Sequence, residues 1–140
     1  MNAETMNTEK LSIAAFEGEG LKRVVESGDW FVGIKNWKPA NDAAHFDNME
    51  RHLQTDEVFV LLEGGCTLLV DHSPDNGCND IRCVPMEKNR VYCIHPSVWH
   101  NTITTKDAKL ILMENRNTSM DNSEVQRLTA DEIAALRQQL

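Results

Sequence analysis

At 140 residues the chain has the length of a single domain, which can bury about two-thirds of its unfolded surface without disulfides or metal. It has 14 basic and 22 acidic residues, for a formal net charge of -8, and no block of Lys or Arg forms a basic face. This balance argues against a nucleic-acid partner and against an anionic membrane, because proteins bind both largely through cations.

The start of the chain and its apolar runs predict the protein's location. Residues 1–10, MNAETMNTEK, lack the apolar core of a signal peptide, and we expect them to be flexible. The longest apolar runs, residues 58–62 and 110–113, fall far short of the roughly 20 residues that span a bilayer. We therefore expect a cytoplasmic protein whose cysteines are reduced thiols. Cys78 and Cys83 lack the second ligand pair that a structural zinc site needs, which disfavours a metal there.

From residue 11 onward, short β-type segments alternate with turn residues. Residues 21–37 predict two strands around a four-residue turn in which Gly28 supplies the backbone freedom. Residues 40–48 are polar and irregular, and a polar loop is predicted over residues 73–80. Further strands are predicted near residue 50 and over residues 57–62, 66–71, 81–85, 90–94, 101–105 and 108–114.

This pattern predicts an all-β fold with one helix at the end. About nine short strands with no helix between them favour an antiparallel sandwich or barrel. Thr129 and Glu132 form a capping box that opens a short amphipathic helix. We expect a barrel over residues 11–120, followed by a tail and this helix over residues 121–140.

Residues 50–65, ERHLQTDEVFVLLEGG, place ionisable side chains at the start of an apolar strand. In a strand, residues two apart point to the same face, so Glu50 and His52 project together. Asp56 and Glu57 are adjacent, so only one of them can share a face with the core. The stretch therefore predicts a cluster of ionisable groups at the mouth of a buried strand.

This stretch resembles the first signature of the cupin superfamily: H-x-H, four residues, E, six residues, G. His52, Glu57 and Gly64 match it, whereas Glu50 occupies the position of the first His. The second signature reads G, five residues, P-x-G-x-x-H, three residues, N, and residues 89–104 resemble it with His100 at the His position.

The second signature is matched loosely around its His. Asn89 occupies the first Gly position, and Asn tolerates the left-handed backbone conformation that a Gly would adopt. His95 and Ser97 stand where Pro and Gly are expected, and Thr104 replaces the Asn. Pro96 and Ser97 still suit a sharp reversal before a strand, and His95 is expected at the rim of the barrel.

The resemblance implies a double-stranded antiparallel β-barrel, or jelly roll, whose interior holds the site. It implies metal ligands at His52 and His100, and it selects Glu57 over Asp56 as the inward carboxylate. An N/O donor set of this kind suits manganese, iron(II), nickel or zinc. The pocket residues that we expect behind the ligands are Phe59, Leu61 and Thr102.

Glu50 leaves two alternatives open. It replaces the missing His as a ligand, or it forms a surface ion pair worth under about 1 kcal/mol. In the second case His52, His100 and Glu57 form a 2-His-1-carboxylate set, as in non-haem iron oxygenases.

Three functional classes follow from the resemblance. The first is a metal-dependent enzyme for a small polar molecule, in which Glu57 or Glu50 moves a proton. The second is a binding module for a sugar or a small acid, with or without metal, and the third is a degenerate cupin with a structural role. No cationic residue is placed inside the barrel by the sequence. A homodimer is expected, because small cupins commonly pair.

Overall fold

The computed structural model describes residues 4–8 and 10–140, and within them the chain forms a β-sandwich closed into a barrel. The strands are β1 (Glu4–Asn7), β2 (Ser12–Ala15), β3 (Leu21–Ser27), β4 (Trp30–Asn36), β5 (Asn48–His52), β6 (Glu57–Glu63), β7 (Cys66–Asp71), β8 (Ile81–Pro85), β9 (Tyr92–Ile94), β10 (His100–Thr104), β11 (Lys109–Asn115) and β12 (Ser123–Arg127). The helix α1 spans Ala130–Arg137. The predicted all-β fold with a short C-terminal helix is confirmed.

Two five-stranded antiparallel sheets make up the barrel. One has the order β12-β5-β10-β7-β8 and the other the order β3-β4-β11-β6-β9, while β1 and β2 pair separately. Strands that are neighbours in a sheet are mostly distant in sequence, as in a jelly roll. The two sheets bring β5 and β10 opposite β6 and β11, so residues from both sheets can meet inside.

The core between the sheets follows the period-2 alternation of the strands. On β6, Phe59 and Leu61 point inward, and on β11 Leu110 and Leu112 lie beside them in register. This alternation also carries polar residues inward at the strand ends, since Glu57 lies two residues before Phe59.

A second apolar layer covers the outer face of the β5-containing sheet. Its buried residues are Phe46, Met49, Leu69, Cys78, Trp99, Ile103, Leu128 and Leu136. Leu136 belongs to α1, which begins with the predicted capping box: the Thr129 hydroxyl accepts from the Glu132 N–H, and the Glu132 carboxylate accepts from the Thr129 N–H. The helix therefore docks on the barrel through one apolar face.

Both ends of the chain contribute strands. Of the segment expected to be flexible, residues 1–3 and 9 lie outside the described residues, and Glu4–Asn7 form β1, which pairs with β2. The segment expected to be a tail contains β12, which extends a barrel sheet by pairing with β5. β12 is short and mostly exposed, so its sequence has no apolar alternation from which to predict it.

The turn positions of the two signatures have left-handed backbone. Gly64 has a φ of 67°, and a Cβ there would lie 2.7 Å from the backbone nitrogen of Ala108. Asn89 has a φ of 67°, which confirms the conformation predicted for it, and Ser97 has a φ of 68°. Both signature turns thus keep the backbone shape of a glycine although two of their glycines are replaced.

Among the described residues, no helix is long and apolar enough to cross a bilayer.

Candidate functional site

Four residues expected at the site converge at one end of the barrel. Glu50 and His52 come from β5, Glu57 from the start of β6 in the opposite sheet, and His100 from the start of β10. One ligand atom from each of the four lies within 4.8 Å of those of the other three. We call this set the inner cluster.

The shortest contact of the inner cluster joins His100 and Glu57. His100 Nε2 lies 2.7 Å from Glu57 Oε1, and the two side chains are 2% and 8% exposed. His100 Nδ1 lies 2.9 Å from the Val98 carbonyl oxygen, which can only accept, so Nδ1 carries a proton. The ring is thereby fixed with Nε2 facing the cluster.

His52 occupies the centre of the cluster. Its Nε2 lies 3.6 Å from Glu57 Oε1 and 3.9 Å from Glu50 Oε1. Its Nδ1 lies 2.7 Å from the Ser123 hydroxyl, which β12 places directly opposite His52. A strand that the sequence did not predict therefore orients one of the two imidazoles.

The buried charges of the inner cluster shift each other's pKa. Burial raises the pKa of Glu57, but the hydrogen bond from His100 and then that from His52 outweigh it and hold the pKa well below its usual range. Burial lowers the pKa values of His52 and His100, and their hydrogen bonds and charge interactions with Glu57 outweigh that effect and raise them. Each imidazole and the carboxylate thus stabilise the other's charged form.

Glu114 is a site residue that sequence reasoning missed. It is buried, and its Oε2 has no hydrogen-bond partner among the described residues, although it lies 3.8 Å from His52 Nε2. Burial, followed by the nearby charge of Glu57, raises its pKa. The signal was present in the sequence, because Glu114 follows Leu110 and Leu112 at the same period of two.

The inner cluster opens into a cavity of about 190 Å³ that is also lined by positively charged side chains. Lys35 and Lys38 line this cavity and an adjoining cleft of about 200 Å³. The sequence alone placed no cationic residue inside the barrel, and the structure shows these two at the cavity. The Lys35 side chain points inward because it continues the alternation of Phe31 and Gly33 along β4. Its flexible aliphatic stem lets the ammonium group reach the opening of the cavity.

The predicted pocket residues divide into two groups. Phe59 and Thr102 line the cavity behind the inner cluster. Leu61, which was expected beside them, is absent from the lining and packs deeper in the core, because it lies one inward position further along β6.

A different group lies on the outside of the barrel. His95 is exposed, as expected for a rim residue, and its Nδ1 lies 2.9 Å from Asp56 Oδ1. Cys93 lies beside both. Cys78 and Cys83 are free thiols, and Cys78 packs in the second apolar layer.

The donor chemistry of the inner cluster fits a divalent transition metal. Metal-binding imidazoles usually donate their second N–H to a carboxylate, a backbone carbonyl or water, and His100 does so to Val98. The second ring nitrogen of His52 contacts the Ser123 hydroxyl. Glu114 Oε2, which has no hydrogen-bond partner among the described residues, lies beside the set. Two imidazoles with carboxylates form the N/O set that manganese, iron, nickel and zinc accept.

Two antiparallel sheets closed into a barrel, with both signatures meeting at its mouth, define a cupin. A comparison with protein-family models then identifies the branch: the glucose-6-phosphate isomerase (GPI) family matches residues 38–129. The chain belongs to this family. The matched region contains the whole inner cluster, Glu114 and β12.

Solved structures with the same fold are distant in sequence. A cupin-2 domain containing protein from Shewanella frigidimarina gives a TM-score of 0.54 at 17% identity, covering 72% of this chain and 85% of that chain. Streptomyces Pac13, a nucleoside dehydratase, gives 0.56 at 8% identity, covering 93% and 89%. KdgF from Halomonas sp. gives 0.52 at 9% identity, covering 70% and 80%. At these identities the likeness shows the fold alone, and a comparison with curated proteins found no match.

Proposed function

We propose that this protein is a metal-dependent isomerase of a small anionic sugar, such as a sugar phosphate. The observation that carries the proposal is the inner cluster at the mouth of a cavity that Lys35 and Lys38 also line. Membership of the GPI family supports it, since the family is named for an enzyme that isomerises glucose 6-phosphate.

His52, Glu57 and His100 are the residues that would hold the ion, with Glu50 in reach as a fourth ligand. A bound divalent ion would act as a Lewis acid on the substrate's carbonyl oxygen. The charge of the ion would also offset the repulsion between an anionic substrate and the carboxylates of Glu50 and Glu57.

The two lysines would supply the cationic partners for an anionic group of the substrate. Lys35 Nζ donates to Asn41 Oδ1 at 3.2 Å, which directs the ammonium toward the boundary between the cavity and the adjoining cleft. Burial and then the charge of Lys38 lower the pKa of Lys35, while Glu50 and Glu57 act in the opposite direction. A phosphate or carboxylate group at this boundary would gain two cationic partners.

In the enediol route from an aldose to a ketose, one group takes a proton from the carbon next to the carbonyl and returns it to the former carbonyl carbon, while a proton moves from the hydroxyl oxygen to the carbonyl oxygen. Glu50 is the better of the two predicted catalytic residues for this role. Its side chain is 41% exposed, it lines both clefts, and no described residue donates a hydrogen bond to it. Glu57 is instead held by His100, which suits a ligand more than a mobile base.

The test combines metal content with turnover. Protein made without a histidine tag should contain about one transition metal ion per chain in the inner cluster and convert glucose 6-phosphate to fructose 6-phosphate, with activity lost to chelator and restored by metal. Glu50→Gln should keep the ion and lose about 10²- to 10⁴-fold in kcat, the usual contribution of a general base. His52→Ala should lose both. Metal-loaded protein that isomerises no sugar phosphate would contradict the proposal.

Lys35→Gln separates substrate binding from chemistry. It should raise KM for the phosphorylated sugar much more than it lowers kcat, because the ammonium contacts the anion and not the reacting carbons. Lys88→Gln is a matched control, since Lys88 is exposed and lines neither cleft.

A metal-free binding module for a sugar or small acid is the second candidate. It is favoured by the hydrogen bond between His100 and Glu57, through which each satisfies the other without an ion. In that case a thermal-shift screen should find ligands whose stabilisation survives chelator. Stabilisation that disappears with chelator would favour the metal-dependent enzyme.

A further inference from the structure

A second group of metal-ligating side chains lies on the outer face of the barrel. Asp56 directly precedes β6, while Cys93 belongs to β9 and His95 follows it. β9 pairs antiparallel with β6, with Glu57 opposite Ile94, so Asp56 comes beside His95. We call Asp56, Cys93 and His95 the outer cluster.

The outer cluster is separate from the inner one. Asp56 and Glu57 are consecutive residues at the start of one strand, so their side chains point to opposite faces of the sheet. Glu57 is buried, whereas the side chains of Asp56 and His95 are 54% and 75% exposed. An ion in solution can therefore reach the outer cluster without entering the barrel.

The three donor atoms already have the spacing that one ion needs. Asp56 Oδ1 lies 2.9 Å from His95 Nδ1 and 3.5 Å from Cys93 Sγ, and Sγ lies 3.9 Å from Nδ1. A circle through three points at these separations has a radius of about 2.0 Å, close to zinc's bond lengths of about 2.0 to 2.3 Å to nitrogen, oxygen and sulfur. A single ion therefore fits between them with shifts of a few tenths of an ångström.

We propose that Asp56, Cys93 and His95 form a second metal site, which binds Zn²⁺ or a similar borderline divalent ion through one carboxylate, one imidazole and one thiolate. Water completes the coordination, as in zinc sites with three protein ligands. The mixed S, N and O donors suit zinc better than manganese or magnesium, which prefer oxygen.

The charge of the site is balanced by the ion. On binding, the Cys93 thiol gives its proton to solvent and becomes a thiolate, while Asp56 is already ionised and His95 binds as the neutral ring. The two negative charges then match one dication. Among the described residues, no Lys or Arg forms an ion pair with Asp56. The ion therefore competes with no cationic side chain other than His95, which is itself a ligand.

The backbone around the outer cluster limits its motion. Asp56 and Cys93 are held by the pairing of β6 and β9, and Pro96 restricts His95 to an extended conformation. The donors therefore lose little conformational freedom on binding, which offsets part of the disadvantage of an exposed site.

Cobalt(II) tests the proposal because cobalt–thiolate bonds produce a charge-transfer absorption that N/O ligands do not. The inner cluster contains no sulfur, so this absorption distinguishes metal at a thiol from metal in the inner cluster. Metal-free protein without a histidine tag is titrated with Co²⁺; the band should appear, and excess Zn²⁺ should abolish it. Absence of the band at saturating Co²⁺ would overturn the proposal.

Four variants assign the band. Cys93→Ser and His95→Ala should lose it, whereas Cys83→Ser, a matched change at another partly accessible thiol, should keep it. His100→Ala should also keep it, which makes failure of the outer site distinguishable from failure of the inner one. A band that persists in Cys93→Ser would overturn the assignment.

Alkylation provides an independent measurement. Zn²⁺ should protect Cys93 from iodoacetamide, as located by mass spectrometry, and chelator should restore its reaction. Equal alkylation of Cys93 with and without Zn²⁺ would also overturn the proposal. Circular dichroism confirms that each variant is folded.

Discussion

The inner and outer clusters each contain a hydrogen-bonded His and carboxylate pair with nearly the same geometry, but the two pairs differ in burial. His100 and Glu57 are 2.7 Å apart with side chains 2% and 8% exposed, whereas His95 and Asp56 are 2.9 Å apart with side chains 75% and 54% exposed. Glu57 and Asp56 are neighbours in the chain. Because these two carboxylates point to opposite faces of the sheet, the face of the strand decides whether such a pair is buried or exposed.

The largest expected difference between the two pairs is in stability. In metal-free protein, His100→Ala leaves the buried Glu57 carboxylate without its main partner, which should cost about 3 to 5 kcal/mol of unfolding free energy. His95→Ala breaks an exposed pair and should cost far less, since water replaces the lost partner. Urea unfolding at neutral pH measures both, and equal losses would contradict the role assigned to burial.

Added metal should separate the clusters by donor type. Mn²⁺ prefers nitrogen and oxygen to sulfur, so it should bind the inner cluster and stabilise it by about 2.7 kcal/mol at 100 times its Kd. Cys93→Ser should respond like the wild type, and His52→Ala should not respond. Thermal unfolding with increasing Mn²⁺ provides the measurement. A response that depends on Cys93 would place Mn²⁺ in the outer cluster and contradict this prediction.

Asp71 extends the comparison, because it is a buried carboxylate that forms no ion pair among the described residues. It accepts hydrogen bonds from the N–H groups of Ser73, Cys78 and Asp80 and from the Ser73 hydroxyl, and it thereby organises the polar loop. Burial raises its pKa, but these hydrogen bonds lower it further than burial raises it. Asp71→Asn should cost about 1.5 to 3 kcal/mol, as expected for hydrogen bonds to a charged group.

The sign of the pH dependence follows from the lowered pKa of Asp71. Its stabilisation is fully present above the unfolded-state value of about 3.9 and is lost as pH falls through the lower folded-state pKa. The difference in stability between the wild type and Asp71→Asn should therefore be constant near neutral pH and shrink below about pH 4. A difference that grows on acidification would contradict this assignment.

The smallest expected effect concerns Ser97, which lies in the turn between His95 of the outer cluster and His100 of the inner one. Its φ of 68° is costly for a residue with a Cβ. Ser97→Gly should raise stability by up to about 1 kcal/mol, because the strain relieved exceeds glycine's entropy cost. Asn89→Gly is the control and should gain less, since Asn tolerates this conformation. Thermal unfolding measures both.

The sequence predicted the barrel well because the signal for it is local. β7 and β8 have the predicted bounds, and most other strands agree within one or two residues, since apolar alternation and turn residues act over short distances. The same alternation placed Glu50 and His52 on one face. β12 escaped prediction because its residues are mostly exposed and it is ordered by pairing with a distant strand, β5.

Two kinds of site residue were missed. Some depend on tertiary contacts, and others continue an inward alternation that was not followed to the end of the strand. Glu114 and Lys35 both continue an inward alternation, so the sequence contained their positions. The pattern of a single strand could not predict that Glu114 and Lys35 lie close to the inner cluster. That proximity depends on how β4, β11 and β5 face each other across the barrel. Whether Leu61 lines the cavity depends likewise on cavity depth, which periodicity does not encode.

The placement of β12 has a consequence for how the protein can be shortened or fused. A chain cut after residue 120 would keep both signatures and every predicted metal ligand, yet it would lose Ser123 and leave the edge of β5 unpaired. His52 would then be free to rotate, and the exposed strand edge could pair with other chains. The smallest fragment that retains the complete centre therefore extends at least through Arg127, well beyond the last residue that a motif search would mark.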